Sequence, residues 1–298
     1  MPKEITMENV MKFSVSSYSF QQYIKEGKMT QLDAVVKAKE LGFDAIEFTD
    51  LMKDGLEAQL EYAKELRAKA NELGIDICAY AIGANLYQGS DEKNAAEVER
   101  LKGQLRVAKE LGAKVMRHDV CYKEKDENGK VTSFGKMLPT IAKNAREVTE
   151  YAATLGIKTC TENHGFIAQD ADRVEALFNT VDHENYGLLV DVGNFACADE
   201  CSIKAVSRLA PYAIHVHAKD FHIYPFGESA PEGIRCFKSR GCKTLAGCAI
   251  GDGDIPTEQC IAILKKAGYD SYLTVEYEGS EDCIEGIKKG LAALKSYV

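Results

Sequence analysis

The fold is decided by a stretch in the middle of the chain, residues 147–164, which reads EVTEYAATLGIKTCTENH. It begins with helical periodicity, passes through Leu155-Gly156 and continues as a short run of strand-forming residues. A glycine after the last helical turn suits a left-handed C-cap. The run then ends on a carboxylate and an imidazole, Glu162 and His164. The stretch therefore predicts a helix-to-strand joint with polar groups at the carboxyl end of the strand.

The same joint recurs along the 298 residues, at Leu41-Gly42, Leu73-Gly74, Leu111-Gly112 and Ala267-Gly268. Apolar residues at three- and four-residue spacing predict helices over 31–40, 56–72, 95–110 and 137–154. The runs rich in strand formers predict strands over 13–18, 44–48, 76–82, 114–118, 158–163, 187–192, 214–219 and 272–277. Eight strands alternating with helices predict an α/β fold, a single (β/α)8 TIM barrel domain over residues 1–298. The competing open sheet lacks support because no glycine-rich nucleotide motif follows a strand.

One connection differs from the others. From Asp220 to about Pro256 the chain shows several glycines and three cysteines but no clear helix. Segments of this length without regular structure are usually functional in compact domains. We therefore expect a long loop after strand seven that acts as a lid or rim.

Composition and charge narrow the function classes. The chain is 45% hydrophobic and 28% charged, as in ordinary globular proteins, and its net charge of −9 disfavours nucleic acid and anionic membranes as partners. It shows neither a signal-like start nor a long apolar run, so we expect a cytoplasmic protein. Its ten cysteines contain no Cys-x-x-Cys pair, which favours reduced thiols over a thiolate metal site.

The predicted strand ends carry carboxylates and imidazoles: Glu47, His118, Glu162, His164, Asp191, His215, His217, Glu276 and Glu278. In a parallel barrel these ends meet at one mouth, where several unpaired carboxylates are costly unless a cation neutralises them. For any single residue a helix cap or a hydrogen-bonded core histidine stays an alternative. Oxygen and nitrogen ligands favour Mn²⁺, Mg²⁺ or Co²⁺ over structural Zn²⁺. Such an ion would polarise a carbonyl and a neighbouring hydroxyl of a sugar, which is isomerase or epimerase chemistry through an enediolate.

The order of these motifs resembles the sugar phosphate isomerase/epimerase family of the xylose isomerase-like barrels. The matching motifs are Thr161-Glu162-Asn163-His164, Asp191-Val-Gly-Asn194, His215-Val-His217-Ala-Lys219-Asp220, Gly251-Asp-Gly-Asp-Ile-Pro256 and Val275-Glu276-Tyr277-Glu278. The resemblance covers nearly the whole chain. It implies one divalent metal ion, Mn²⁺ first, with Mg²⁺, Co²⁺ and Zn²⁺ as alternatives. The implied ligands are Glu162, Asp191, His217 and Glu276, of which Glu162 and Glu276 also form the acid/base pair.

Substrate contacts are expected at the mouth from six residues: Glu47, His118, His164, Asn194, Lys219 and His222. The chain departs from ketose 3-epimerases at two of these places. Those enzymes carry a histidine where this chain has Asn194, and an arginine where Phe221, His222 and Ile223 follow. Arg235 or Arg240 in the long loop are candidates to replace that arginine. Simple ketohexose epimerisation is therefore disfavoured.

Three functions remain open after this reading. The first is a metal-dependent isomerase or epimerase on a free or modified sugar. The second is a lyase that eliminates a group from a keto-sugar, such as an inosose dehydratase or a deglycosidase subunit that cleaves 3-keto-glycosides, including C-glycosides. The third is a non-catalytic sugar-binding or partner subunit. We expect a homo-oligomer by analogy with such barrels, and a second subunit is the alternative if residues 221–250 form an interface.

Overall fold

The computed structural model describes residues 11–122 and 130–298. Eight strands form its barrel: β1 (Lys12–Ser16), β2 (Ala45–Phe48), β3 (Asp76–Ile82), β4 (Val115–His118), β5 (Lys158–Glu162), β6 (Tyr186–Asp191), β7 (Ala213–Ala218) and β11 (Tyr272–Val275). They pair in parallel in the order β1-β11-β7-β6-β5-β4-β3-β2, and β1 closes the ring against both β11 and β2. The predicted TIM barrel is confirmed, with each strand within two residues of its predicted bounds.

The helices lie outside the barrel in the usual alternation with the strands. They are α1 (Gln21–Lys25), α2 (Gln31–Leu41), α3 (Leu56–Leu73), α4 (Asp91–Leu111), α5 (Phe134–Thr154), α6 (Ala171–Val181), α7 (Ser202–Leu209), α8 (Thr257–Lys266) and α9 (Cys283–Tyr297). Short 3-10 helices span Ser17–Phe20, Asn194–Ala198 and Ala210–Tyr212. Helix α4 begins earlier than predicted because the Ser90 side chain caps it, accepting from the backbone N–H of Lys93.

The helix-ending glycines adopt the conformation that the sequence predicts. Gly42, Gly74 and Gly112 end α2, α3 and α4 with φ of 84°, 61° and 82°. Only glycine adopts this left-handed region without a steric penalty. Each glycine turns the chain back into the next strand, so the predicted joints are confirmed.

Within residues 11–122 and 130–298, no helix combines the length and the apolar character needed to cross a membrane.

The segment after β7 is not the long loop that the sequence predicts. It contains β8 (Asp220–Tyr224), β9 (Phe237–Lys238) and β10 (Thr244–Cys248), which form an antiparallel sheet in the order β8-β10-β9. Strands of two to five residues with glycine and cysteine among them are too short to show a clear period. We call residues 220–256 the inserted sheet.

The turn between β9 and β10 rests on the loops that follow β5 and β6. The backbone N–H of Arg240 donates to the carbonyl of Cys197 at 2.7 Å. The Arg240 guanidinium donates to Asp170 Oδ2 at 2.8 Å and to the carbonyl of Phe166. The inserted sheet therefore reaches across one side of the barrel mouth, and Arg240 serves as its attachment.

Asp220 holds the two ends of the inserted sheet together. Its carboxylate accepts the backbone N–H groups of Phe221, Gly251, Gly253 and Ile255 at 2.8, 2.9, 3.2 and 3.0 Å. A Cβ atom at Gly253 would lie 2.2 Å from Asp220 Oδ1, so the close approach requires glycine there. The Gly-Asp-Gly-Asp-Ile-Pro motif thus wraps around one buried carboxylate.

Asp220→Ala should lower the free energy of unfolding by about 3 kcal/mol, because four backbone donors lose a charged acceptor. Urea denaturation followed by circular dichroism measures the change. Asp252→Ala is the matched control in the same loop, since its carboxylate is half exposed and contacts only Lys289 at 3.2 Å among the contacts described. The control should change stability by less than about 0.5 kcal/mol. Equal effects of the two substitutions would contradict the anchoring role of Asp220.

Candidate metal centre

Four side chains from neighbouring strands meet at the carboxyl end of the barrel. Glu162 ends β5, Asp191 ends β6, His217 lies on β7 and Glu276 follows β11, and all four are buried. One ligand atom from each lies within 4.8 Å of the others. His217 Nδ1 is 3.4 Å from Glu276 Oε2, 3.8 Å from Glu162 Oε1 and 4.0 Å from Asp191 Oδ2. One imidazole nitrogen and three carboxylate oxygens form a suitable donor set for a divalent cation.

The atoms that face this point are short of partners. Asp191 Oδ2 and His217 Nδ1 are buried and make no hydrogen bond of normal geometry, and Glu276 Oε2 is buried against the Lys219 ammonium. Buried polar atoms are rarely left in this state without a reason. The second oxygen of Asp191 is bound, since Oδ1 accepts the N–H groups of Gly193 and Asn194 at 2.8 and 3.0 Å. One ligand atom from each residue therefore faces a common point, and the residues fit a divalent cation.

Two cationic side chains lie against the cluster. Arg117 donates from Nε to Glu162 Oε2 at 2.7 Å, and its Nη2 contacts the same oxygen. Lys219 Nζ lies 2.7 Å from Glu276 Oε2 and 3.5 Å from Asp191 Oδ2. Both cations are buried. They offset part of the negative charge and hold the carboxylates in place.

Burial raises the pKa of both carboxyls beside Lys219, and the positive charge of Lys219 opposes this rise. Burial tends to raise the pKa of Glu276, but Lys219 and His217 hold that pKa well below its ordinary value. Burial also raises the pKa of Asp191, and Glu162 and Glu276 add to this rise while Lys219 opposes it. A cation at the cluster would favour the ionised form of Asp191.

Glu47 supports the imidazole ligand from beneath. Its Oε2 lies 2.9 Å from the Nε2 atoms of both His215 and His217. Burial works against ionisation of Glu47, yet the two histidines lower its pKa. An ionised oxygen only accepts, so Nε2 of His217 carries a proton, and Nδ1 is the nitrogen that faces the carboxylates of the cluster. Below this pair, Thr274 Oγ1 contacts His215 Nε2 at 3.1 Å and Ser14 Oγ at 2.6 Å.

Of the residues expected to contact substrate, Asn194, Lys219 and His164 lie at or beside the cluster. Asn194 Nδ2 donates to Glu162 Oε1 at 2.8 Å, and its Oδ1 lies 3.3 Å from Lys219 Nζ. His164 Nδ1 lies 2.9 Å from Asp119 Oδ1, and its side chain is 40% exposed at the mouth. These three positions are compatible with substrate contact.

The other three expected residues lie elsewhere. Glu47 is buried beneath the cluster, and His222 is exposed on β8 of the inserted sheet. His118 is buried, and its Nδ1 lies 2.9 Å from the carbonyl oxygen of Asp119. Its neighbour Arg117 makes the contact with Glu162 instead. A role in substrate binding for these three residues stays a prediction.

The sequence reading missed Arg117 and Asp119 as site residues. Their separation of two residues places them on one face of the chain where β4 ends, and Arg117 contacts Glu162 while Asp119 contacts His164. This spacing of two charged residues at a strand end was a usable signal. Asn163 was also missed: its side chain donates to the carbonyl of Asp191 and accepts from the Asp191 N–H, both at 2.9 Å.

Comparison with known proteins agrees with this architecture. The family model described as a xylose isomerase-like TIM barrel matches residues 35–297. Inosose dehydratase of Clostridium perfringens is 26% identical over 140 residues, which make up 47% of this chain and 46% of that protein. The chain thus matches about half the length of this relative.

Solved structures show the same fold over the whole barrel. The IolI protein with a bound zinc atom has a TM-score of 0.76 at 18% identity, covering 97% of this chain and 98% of that chain. D-psicose 3-epimerase crystallised with D-fructose has a TM-score of 0.72 at 16% identity, covering 96% and 99%. At these identities the likeness concerns the fold.

Asp191→Asn should weaken metal binding by more than about 100-fold. This exceeds the loss that is usual when a residue that only hydrogen-bonds to a metal ligand is replaced. The amide oxygen can still accept from Gly193 and Asn194, while the NH₂ group that replaces Oδ2 has no lone pair to offer. Mass spectrometry of metal content and competition with a chelating dye measure the loss. Glu278→Gln is the control, because Glu278 contacts Lys219 but lies outside the four-residue cluster. Stoichiometric metal in Asp191→Asn would remove Asp191 from the ligand set.

Glu47→Gln should weaken metal binding by about 10- to 100-fold without unfolding the protein. The neutral amide cannot orient two imidazole donors as the shared carboxylate oxygen does. The dye competition gives the affinity, and circular dichroism reports the fold. Glu97→Gln is the control for loss of a largely buried carboxylate away from the cluster, since Glu97 on α4 bonds to Arg100 and to the N–H of Asn85. Unchanged affinity in Glu47→Gln would show that His217 does not need this support.

Proposed function

Since the chain belongs to the xylose isomerase-like TIM barrel family, we propose that it is a divalent-metal-dependent enzyme that removes a proton next to a carbonyl of a sugar or keto-sugar. The observation that carries the proposal is the convergence of buried ligand atoms from Asp191, His217 and Glu276 at the barrel mouth. Glu162 supplies a fourth donor at the same point. Catalytic sites of this fold lie at that end of the barrel.

The proposed ion is Mn²⁺, with Mg²⁺, Co²⁺ and Zn²⁺ as alternatives. Three carboxylates and one imidazole suit hard or borderline cations, and no thiolate belongs to the four-residue cluster. When bound, the ion supplies a Lewis acid that polarises the carbonyl and neighbouring hydroxyl and stabilises the enediolate. Glu162, Asp191, His217 and Glu276 would hold it.

The side chains of the cluster supply the proton transfers. Glu162 and Glu276 come from β5 and β11, which β6 and β7 separate in the barrel, so they approach the substrate from different sides. The cationic Lys219 favours the ionised form of Glu276, which can accept the proton. A proton that Glu162 has taken from solvent and delivers to the opposite face gives an epimer, and Glu276 then releases the abstracted proton to solvent. Delivery to the neighbouring carbon instead, with the hydroxyl proton moving to the former carbonyl oxygen, gives an isomer. Lys219 and Asn194 are placed to bind substrate hydroxyls.

The second candidate function is a lyase. The first step is the same, but a substituent on the next carbon leaves before a proton returns. The similarity to inosose dehydratases favours this candidate, because a dehydratase eliminates water from its substrate. The two functions differ in whether a leaving group or water is released.

Proton NMR in D₂O tests the proposal with free, phosphorylated and 3-keto sugars, with and without added Mn²⁺. We expect metal-dependent exchange of one C–H proton, followed by a new isomer for an isomerase or by a released fragment for a lyase. Glu276→Gln should abolish the exchange while circular dichroism stays unchanged. Glu281→Gln, an exposed residue of the same loop, should keep it. Metal-loaded protein that exchanges no proton in any of these sugars would contradict the proposed function.

A further inference from the structure

Large apolar side chains that remain exposed gather at the mouth of the barrel. Within residues 11–122 and 130–298 they are Met52, Tyr122, Val131, Phe166, Phe226, Ile234, Phe237 and Val298. All but Val298 lie in segments that follow the carboxyl ends of barrel strands. Scattered exposed apolar residues are ordinary, whereas their concentration around a polar site points to a ligand.

Phe166 stands out because its backbone is strained. Its φ is 66°, and the preceding Gly165 has φ of 78°. Turns with two such residues favour Asn-Gly, and a bulky residue with positive φ is an outlier. Strain of this kind is retained where function requires it. Phe166 lies four residues after Glu162, in the loop that leads away from the metal centre.

The surrounding structure holds Phe166 in this conformation. Its N–H donates to Gln169 Oε1 at 2.6 Å, and its carbonyl accepts from the Arg240 guanidinium. The Gln169 amide in turn donates to the carbonyls of Asn163 and Asn194 at 3.0 and 2.7 Å. The strained residue is therefore tied to the loops that position Glu162 and Asp191. Its ring stays 41% exposed instead of packing into the core.

Tyr122 lies beside the same turn. Its hydroxyl donates to Asp119 Oδ2 at 2.8 Å and accepts the N–H of Ala84 at 2.9 Å. A Cβ atom at Gly165 would lie 3.5 Å from its ring, so the ring rests against the turn that carries Phe166. The ring is fixed by its hydroxyl, and the residue is 42% exposed. We call Tyr122 and Phe166 the aromatic platform.

We propose that the aromatic platform binds a flat apolar substituent of the substrate, and that the substrate is a keto-sugar carrying an aromatic group, as in an aryl glycoside. The cluster of carboxylates and cations suits the sugar part of the substrate, whose hydroxyls can hydrogen-bond to these groups. An apolar group there would leave the buried charged groups without hydrogen-bond partners. Aromatic side chains bind flat apolar groups by stacking and by burial of surface. The inference rests on the proposed function, because that function places the sugar end at the metal centre.

Calorimetry of the Mn²⁺-loaded protein tests the platform with 4-nitrophenyl β-D-glucoside and methyl β-D-glucoside. We expect the parent protein to bind the aryl glucoside more tightly. Phe166→Gly and Phe166→Asn both tolerate the left-handed backbone and remove the ring. Each should weaken binding of the aryl glucoside by about tenfold and leave the methyl glucoside unchanged. Equal or undetectable binding of the two glucosides by the parent protein would overturn the inference, as would an unchanged aryl preference in both variants.

Asp182→Gly is the matched control for the relief of strain. Asp182 is left-handed, with φ of 44°, at the end of α6. This variant should keep the parent's preference for the aryl glucoside, while thermal unfolding confirms that all variants fold. Neither glucoside has a carbonyl to enolise, so their binding is independent of turnover. If the protein prefers the aryl glucoside but exchanges no proton in the NMR experiment, the binding role of the aromatic platform stands and the proposed function is wrong.

Discussion

Buried negative charge is the constraint on which the rest of the structure depends. Five buried carboxylates lie at one end of the barrel: Glu47, Asp119, Glu162, Asp191 and Glu276. Arg117 and Lys219 offset at most two of these charges, and a buried carboxylate without compensation is costly. A divalent cation at the cluster would supply the missing positive charge. The barrel therefore holds a group of buried carboxylates whose charge a bound cation would neutralise.

The same constraint explains how each ligand is oriented. Three of the four proposed ligands have one atom fixed by the protein and another turned toward the cluster. Asp191 is fixed by backbone N–H groups, Glu162 by Arg117, and His217 by Glu47. Such partners lower the freedom of the ligands before an ion arrives, and their loss usually weakens metal binding. The groups that orient the proposed ligands therefore matter for metal binding as well as the ligands themselves.

Sequence reasoning predicted the barrel because each helix-to-strand joint is a local signal, as at Gly42 and Gly112. It predicted which strand ends carry polar groups for the same reason. It failed where the answer depends on contacts between distant segments. Arg117 and the neighbouring His118 lie on opposite faces of a four-residue strand. The register of this strand decides which of the two faces the site, and a shift of one residue would exchange them. The bond between Glu47 and His217 joins residues 170 positions apart, which no local pattern encodes.

The inserted sheet continues directly from β7, the strand that carries His217, and Arg240 attaches it to the loop that follows β5. The proposed metal ligands thus lie on or directly after strands that share one hydrogen-bonded ring, while part of the rim lies on the inserted sheet, an appendage outside that ring. Evolution can exchange such an appendage, or the turn at Phe166, without rebuilding the ring. Proteins with this arrangement would change their substrate specificity during evolution much faster than the reaction that they catalyse.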